Sequence, residues 1–186
     1  MEYKIIRTDR KTLAITIKNG ELIVRAPRRL GDAKIRDFVS RHTAWIDKHM
    51  AAVKAKEIAL EDIEPMTEAE MKELRARAKD VFAERVAYYA SLLGVSYGKV
   101  SVRCQKTRWG SCNREGDLSL NCLLLLAPSE VLDSVVAHEL CHRKYMNHSN
   151  LFYEALYSVF PNYDECRRWL KENGEALWHR VDPLQK

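Results

Sequence analysis

The chain is poor in glycine and proline, with seven and five among its 186 residues, and it lacks any long apolar run. Its longest apolar stretch, Cys122 to Pro128, is far shorter than the roughly 20 residues that a transmembrane helix needs. The first residues also lack the apolar segment of a secretory signal peptide. No flexible linker, internal repeat or low-complexity tract is visible. These absences argue against a membrane-spanning or disordered chain, and we expect a cytoplasmic protein.

Cysteine is present but not in a zinc-finger pattern, because the chain has five cysteines and no CxxC pair. We expect buried free thiols, and a second, structural zinc site is the alternative. The net charge of +5 permits a nucleic acid or another polyanion as partner without requiring one. The cysteines are Cys104, Cys112, Cys122, Cys141 and Cys166.

Residues 1–95 predict an amino-terminal β-hairpin followed by long helices. Strands at 13–18 and 21–25 flank Asn19-Gly20, a dipeptide typical of tight hairpin turns, and residues 3–7 can add another strand. Asp32 is expected to cap a long helix with an apolar stripe through Val53. Thr67 and Glu70 form a capping-box pattern, which predicts a helix that ends at Leu93 before Gly94.

Residues 96–186 predict a second part with mixed structure. Strands at 100–104 and 117–121 are expected to pair antiparallel, with an irregular turn at 107–113 between them. Ser129 can cap a helix that Asn147 ends, and Pro161 divides a last pair of helices. We therefore expect an α+β fold whose amino-terminal part packs on the second part as one compact unit.

The segment that carries chemistry is an HExxH motif on the predicted helix from Ser129. His138 and His142 are four residues apart, so on a helix both imidazoles lie on one face and can reach one ion. Glu139 follows the first histidine, where a carboxylate can take a proton from metal-bound water. The helix is apolar on more than one side, so a buried site is expected. The motif predicts one zinc ion per chain, with His138 and His142 as ligands and Glu139 as the general base.

The third metal ligand has two candidates in the sequence. His148 follows His142 by six residues, the spacing of the HExxHxxGxxH metalloproteases, although Tyr145 stands where that pattern has glycine. Asn147 tolerates a left-handed conformation and can turn the chain back. Glu154 is the rival ligand. The sequence favours His148, because catalytic zinc sites usually have three protein ligands and His148 is the nearer donor.

A basic segment precedes the motif, since residues 99–114 contain five cations and no acidic residue. With Trp109 among them, the segment can bind an anion or stack a base, or it can be a solvated turn with Trp109 packed inside. Tyr145 and Tyr163 are candidates for polarising a substrate oxygen, or ordinary packed tyrosines. The residues expected to contact substrate are Arg108, Trp109, Gly110, Ser111 and Tyr145.

The motifs resemble those of the YgjP-like metallopeptidase domain, a family related to the SprT-like proteases. The likeness covers most of the chain and is dense from Arg108 to Phe152. The resemblance implies a minimal zincin-like core, with an active-site helix packed on a small antiparallel sheet. It also implies His138, His142 and His148 as ligands and Glu139 as catalytic carboxylate. The resemblance is carried by Arg108-Trp109-Gly110-Ser111-Cys112, Leu120-Asn121, Ala127-Pro128, Val135 to His142, Asn147-His148-Ser149 and Phe152, with Trp45-Ile46, Pro161, Tyr163, Trp169 and Leu170 in support.

These patterns predict a zinc-dependent metallopeptidase, in which Glu139 activates a zinc-bound water for attack on a peptide carbonyl. The sheet edge at 109–111 could align an extended peptide or protein substrate by strand addition. One alternative is a nucleotide phosphohydrolase, with Arg103, Lys106 or Arg108 neutralising phosphate charge. A second is a non-enzymatic nucleic-acid-binding module with a structural zinc. No membrane partner is expected.

Overall fold

The computed structural model describes residues 2–18 and 20–181, with the side chains of Lys56 and Glu57 left aside. The chain forms two compact units, Met1–Asp62 and Ile63–Lys186. The expected α+β class is confirmed, because each unit combines helices with a three-stranded sheet. Within the described residues, no helix is both long and apolar enough to cross a bilayer.

The first unit is a three-stranded sheet with two helices. β2 (Ala14–Lys18) and β3 (Glu21–Pro27) form the predicted hairpin, and β1 (Lys4–Thr8) adds parallel to the other edge of β3. Gly20 has a φ of 71°, as a tight turn requires, whereas Asn19 lies outside the described residues. The unit's core combines every second residue of β3 with apolar helix residues: Leu22, Val24, Ala26, Ile35, Val39 and Ile46.

The predicted long helix from Asp32 is instead two helices, α1 (Asp32–Arg41) and α2 (Thr43–Glu61). The backbone N–H of His42 donates to the carbonyl of Val39, three residues back. The ring Nδ1–H of His42 donates to the carbonyl of Phe38, with Nδ1 and O 2.7 Å apart. The helical ladder is therefore interrupted at His42. The N-cap of α1 is Gly31, so the prediction of Asp32 as the cap was wrong by one residue.

The second unit begins with α3 (Glu68–Leu93), whose ends match the prediction. Thr67 and Glu70 form the full capping box, and Gly94 ends the helix at a φ of 63°. The predicted division at 95/96 differs from the observed one, because α3 packs against the active-site helix and belongs to the second unit. The guanidinium of Arg85 on α3 donates two hydrogen bonds, of 2.6 and 2.5 Å, to the carboxylate of Asp133 on the helix that carries His138 and Glu139.

The sheet of the second unit is mixed, not antiparallel as predicted. β4 (Val100–Arg103) and β6 (Leu118–Asn121) run parallel, and β5 (Gly110–Cys112) pairs antiparallel with β6 at the other edge. The predicted irregular turn contains β5, so the chain reverses twice between β4 and β6, which leaves them pointing the same way.

In the part of the chain that the structure describes, four helical segments follow the sheet: a 3₁₀ turn (Cys122–Leu126), α4 (Ser129–Cys141), α5 (Asn150–Val159) and α6 (Tyr163–His179). From Val131 to Cys141, every residue of α4 except Asp133 and His138 is buried, as its sequence predicts. The prediction that Ser129 caps α4 was wrong, because the N-cap is Pro128 and no side chain caps the helix.

The prediction that α4 ends at Asn147 was also wrong. The helix ends at Cys141, where the N–H groups of Lys144 and Tyr145 both bond to the Cys141 carbonyl and turn the chain. The five cysteines form no disulfide; three are buried, as expected, whereas Cys104 and Cys112 are partly exposed.

Candidate metal centre

Three histidine side chains converge where α4 ends. His138 lies on α4 and His142 is the C-cap of that helix one turn later, and the turn to α5 brings His148 back toward them. One ring nitrogen from each residue lies within 4.8 Å of the other two. The Nε2 atoms of His138 and His148 are 3.1 Å apart, close to the spacing of about 3.3 Å that two nitrogens take on a tetrahedral zinc ion. These donors fit a divalent metal such as zinc.

Hydrogen bonds at Nδ1 fix the imidazoles of His138 and His142 in the orientation that a metal needs. His142 Nδ1 lies 3.1 Å from the carbonyl of Tyr145, which can only accept, so Nδ1 carries the proton and Nε2 is free. His138 Nδ1 lies 2.9 Å from the hydroxyl of Tyr163. When His138 Nε2 is a ligand, its Nδ1–H donates to that hydroxyl, the usual arrangement behind a metal-binding histidine.

The three imidazoles rest on one buried aromatic ring. Phe152, on α5, is fully buried, and its ring centroid lies 4.8 to 4.9 Å from each of the three histidine rings. Contact with a packed ring limits the rotamers of all three histidines. The cluster is therefore preorganised by its hydrophobic support as well as by its hydrogen bonds.

Burial keeps the imidazoles of His138 and His142 neutral, which is the state that binds metal. Burial, with the nearby His142 and His148, lowers the pKa of His138 to about 3. Burial is also the main reason why the pKa of His142 is lowered. Protons therefore compete weakly for these nitrogens.

Glu139 is buried beside the cluster, with its side chain against the backbone of Gly110 at the start of β5. A Cβ atom at position 110 would lie 2.7 Å from both Cγ and Oε1 of Glu139, so only glycine leaves room for this carboxylate. Burial raises the pKa of Glu139 to about 7, and the positive charge of Arg108 opposes that shift. A carboxyl group with such a pKa can both accept and return a proton near neutral pH.

Two cavities meet at His138, Glu139 and Gly110. We call the first the tryptophan cavity; it has a volume of about 480 Å³ and lies between β5, α4 and α6. We call the second the histidine cavity; it has a volume of about 390 Å³. The tryptophan cavity is lined by Trp109, Ser134, Val135, Tyr163, Arg167, Leu170, Lys171, Glu175 and Trp178 in addition to the shared residues. The histidine cavity is lined by Arg108, Ser111, Cys112, His142, Met146 and His148 in addition to them.

The residues predicted to contact substrate divide between these cavities. Arg108 and Ser111 line the histidine cavity, Trp109 lines the tryptophan cavity and Gly110 lines both. Tyr145 lines neither, and its contribution is the backbone carbonyl that holds His142. Glu154, the rival ligand, is exposed and lies outside the histidine group.

Several supporting residues were missed as site residues by the sequence reasoning. Tyr163 was considered only as a substrate contact, and Phe152 was noted only as part of a resemblance. Arg167 and Trp178, on the cavity wall formed by α6, carried no motif. Their roles depend on which helix packs beside α4, and spacing within one helix contains no such information.

The sequence profile described as "YgjP-like, metallopeptidase domain" matches residues 11–71 and 66–173, which together span most of the chain. The chain belongs to this family. At the family level it is a metallopeptidase, a class that ordinarily uses a divalent metal, typically zinc.

Among solved structures, the chain is similar to the metallopeptidase zymogen of Pyrococcus abyssi abylysin, with 23% identity and a TM-score of 0.45 over 49% of this chain and 93% of that one. It is also similar to the metallopeptidase zymogen of Methanocaldococcus jannaschii jannalysin, with 21% identity and a TM-score of 0.44 over 49% and 94%. No curated protein matches the chain.

Proposed function

We propose that the chain is a zinc-dependent peptidase in which His138, His142 and His148 hold one zinc ion and Glu139 is the general base. The observation that carries the proposal is the convergence of three imidazole nitrogens beside one buried carboxylate at the meeting point of two cavities. No fourth histidine, cysteine or acidic residue joins the group among the residues described, which leaves coordination free for catalysis.

The chemistry divides between the ion and the protein. Zinc, when bound by these nitrogens, supplies Lewis acidity, which lowers the pKa of a water ligand and polarises a carbonyl. Glu139 takes the proton from the attacking water and passes it to the nitrogen that leaves. Gly110 keeps room for the Glu139 carboxylate, while Tyr163 and the Tyr145 carbonyl hold the histidine rings.

The peptide backbone is proposed to bind along β5. This strand is the edge of its sheet, because β6 is its only strand neighbour in the described chain, and Gly110 contacts Glu139 at its start. An extended peptide that pairs with β5 would therefore pass the general base. The expected cytoplasmic location and the relationship to the SprT-like proteases stay predictions.

Most of the cations that were predicted for the phosphohydrolase alternative do not lie at the site. Arg103 and Lys106 line neither of the two cavities beside Glu139, and Arg108 alone borders one of them. The alternative of a closed structural zinc is disfavoured by the three-ligand group.

The test combines metal analysis with cleavage of an unfolded protein such as casein. The purified full chain is expected to hold one zinc ion, and His138→Ala is expected to lose it. Glu139→Gln should keep the ion and the fold but lose roughly 100-fold or more in cleavage rate, because an amide is no base at neutral pH. Full metal occupancy in His138→Ala, or near-normal cleavage by Glu139→Gln, would contradict the proposal.

A further inference from the structure

The tryptophan cavity has an apolar interior built for a bulky group. Trp109 and Trp178 stack with ring centroids 5.0 Å apart and 13° between their planes, and Val135 and Leu170 line the same space. Gly174 on α6 makes this wall possible, since a Cβ there would lie 2.7 Å from Cζ2 of Trp109. A volume of about 480 Å³ falls in the range of sites that enclose small organic ligands.

Charged groups of α6 also line this cavity. Arg167 and Lys171 are both exposed and one helical turn apart, and Glu175 follows one turn later. Arg167 lines the cavity together with His138 and Tyr163, so its guanidinium lies on the same wall as the histidine cluster. Arg167 and Lys171, one turn apart, therefore offer two cationic groups for a carboxylate in a lining that also contains the acidic residues Glu139 and Glu175.

The direction of β5 orders the two cavities along a bound peptide. Gly110, the first residue of β5, and Trp109 before it border the tryptophan cavity, whereas Ser111 and Cys112 border only the histidine cavity. Antiparallel pairing is the more stable and more common arrangement for an added strand. A peptide paired in this way would reach the histidine cavity with its amino-terminal part and the tryptophan cavity after it passes Glu139.

We propose, on the basis of the proposed peptidase function, that the tryptophan cavity is the main specificity site. It takes the side chain of the residue that follows the scissile bond, and this side chain is large and apolar. Arg167 and Lys171 bind a carboxylate that comes next along the peptide, either an acidic side chain or a free carboxyl terminus. The favoured substrates are peptides cut before a bulky apolar residue that is followed by negative charge.

Selectivity is measured with the zinc-loaded full chain and quenched-fluorescent peptides that differ only after the cleavage site, which is identified by mass spectrometry. Phenylalanine or leucine at the first position after the cut should raise kcat/KM by about 10-fold or more over alanine. Glutamate at the second position should raise it over lysine. Equal rates for phenylalanine and alanine peptides, or a preference confined to residues before the cut, would overturn the proposal.

Two variant pairs locate the preference in this cavity. Leu170→Phe reduces the space in the tryptophan cavity and should lower the phenylalanine-to-alanine ratio of kcat/KM by about 10-fold. Leu151→Phe, at an exposed position on α5, should leave this ratio unchanged.

Arg167→Gln should raise KM about 10-fold for the glutamate peptide with little change for the lysine peptide. Arg168→Gln, also exposed but outside the cavity, is its matched control. An unchanged ratio in Leu170→Phe, or equal effects of the two arginine variants, would place the specificity elsewhere.

A comparison of a free with an amidated carboxyl terminus on the same peptide shows whether the bound carboxylate is the terminus or an acidic side chain.

A binding measurement separates failure of this specificity proposal from failure of the proposed peptidase function. Calorimetry with zinc-loaded Glu139→Gln should show tighter binding of the phenylalanine peptide than of the alanine peptide, even if no peptide is cleaved. Cleavage without that difference in affinity or rate would overturn the specificity site and leave the peptidase function standing.

Discussion

At the scale of single residues, Gly110 decides where the carboxylate of Glu139 can lie. Its backbone fills the place next to Cγ and Oε1 of Glu139, and a methyl group there would overlap both atoms. The sequence predicted Gly110 as a substrate contact, and in the structure Gly110 also positions the side chain of the proposed base, Glu139. The two roles are compatible because Gly110 lines both cavities.

Gly110→Ala is expected to lower kcat by roughly 100-fold while zinc content stays at one ion per chain, because displacement of the carboxylate removes general-base catalysis. The measurement is casein cleavage beside elemental analysis. Gly31→Ala is the matched control, since a Cβ at position 31 meets no atom within 4 Å. Normal cleavage by Gly110→Ala would mean that Glu139 does not need its observed position.

The identity of the third ligand is also a residue-scale question. His148 lies in the group of converging nitrogens and Glu154 does not. We therefore expect His148→Ala to weaken zinc affinity strongly and Glu154→Ala to leave it nearly unchanged, as read by competition with a chromogenic chelator. The reverse result would replace the three-histidine site with a glutamate-ligand site.

Tyr163→Phe should weaken zinc binding by about 10- to 100-fold, because His138 loses the hydrogen bond that orients its ring. The fold should be retained, since the buried phenyl ring stays in place. Tyr157→Phe, which removes a hydroxyl bonded to Asp164 at 2.8 Å, is the control. Equal zinc affinities of the two variants would show that Tyr163 does not support the metal site.

At the scale of elements, the site depends on how β6 holds the loop before β5. Asn121, at the end of β6, is completely buried, and its side-chain amide donates to the carbonyls of Gln105 at 2.7 Å and Arg108 at 3.2 Å. Its backbone N–H donates to the carbonyl of Trp109 at 2.9 Å. A single asparagine thus fixes the segment that carries Arg108 and Trp109 to the cavities.

Asn121→Ala is expected to reduce the free energy of unfolding by about 1–3 kcal/mol, because the carbonyls of Gln105 and Arg108 lose the donor of two part-buried hydrogen bonds. Since the loop also shapes the tryptophan cavity, cleavage of peptides should fall as well. Urea unfolding and kinetics on the same preparation are the measurements. A loss of stability with unchanged kinetics would make Asn121 a structural residue alone.

At the scale of the whole molecule, the buried site should make the metal-free chain sensitive to pH. The pKa of Glu139 is raised from 4.5 to about 7, so the unfolded chain releases the Glu139 proton at a lower pH than the folded chain does. The free energy of unfolding therefore falls as the pH rises from about 4.5 through 7. The pKa of His138 is lowered from 6.5 to about 3, so stability is lost as the pH falls from about 6.5 toward 3. The two groups oppose each other between pH 4.5 and 6.5.

Glu139→Gln should therefore stabilise the metal-free protein at pH 8, by up to about 3 kcal/mol, and should have little effect at pH 4. Urea unfolding of chelator-treated protein at the two pH values measures the difference. Glu154→Gln, at an exposed site, serves as control. Equal stability of Glu139→Gln and the parent chain at pH 8 would show that burial does not destabilise the charged Glu139 carboxylate.

The sequence by itself determined the features that depend on local spacing. The HExxH spacing places two imidazoles on one side of the helix end. The Thr67–Glu70 capping box and Gly94 delimit α3, and Gly20 lies in the turn between the strands of the hairpin. Each of these signals acts within a few residues, where backbone geometry leaves few alternatives.

Only the tertiary structure decided what depends on contacts between distant segments. Strand direction in the second sheet was predicted wrongly, because β5 is three residues long and is stabilised by β6 and α4 more than by its own sequence. Tyr163 reaches His138 across 25 positions, and Gly110 meets Glu139 only because β5 lies against α4. Such pairings are selected by packing of the whole unit, and no periodicity within one segment encodes them.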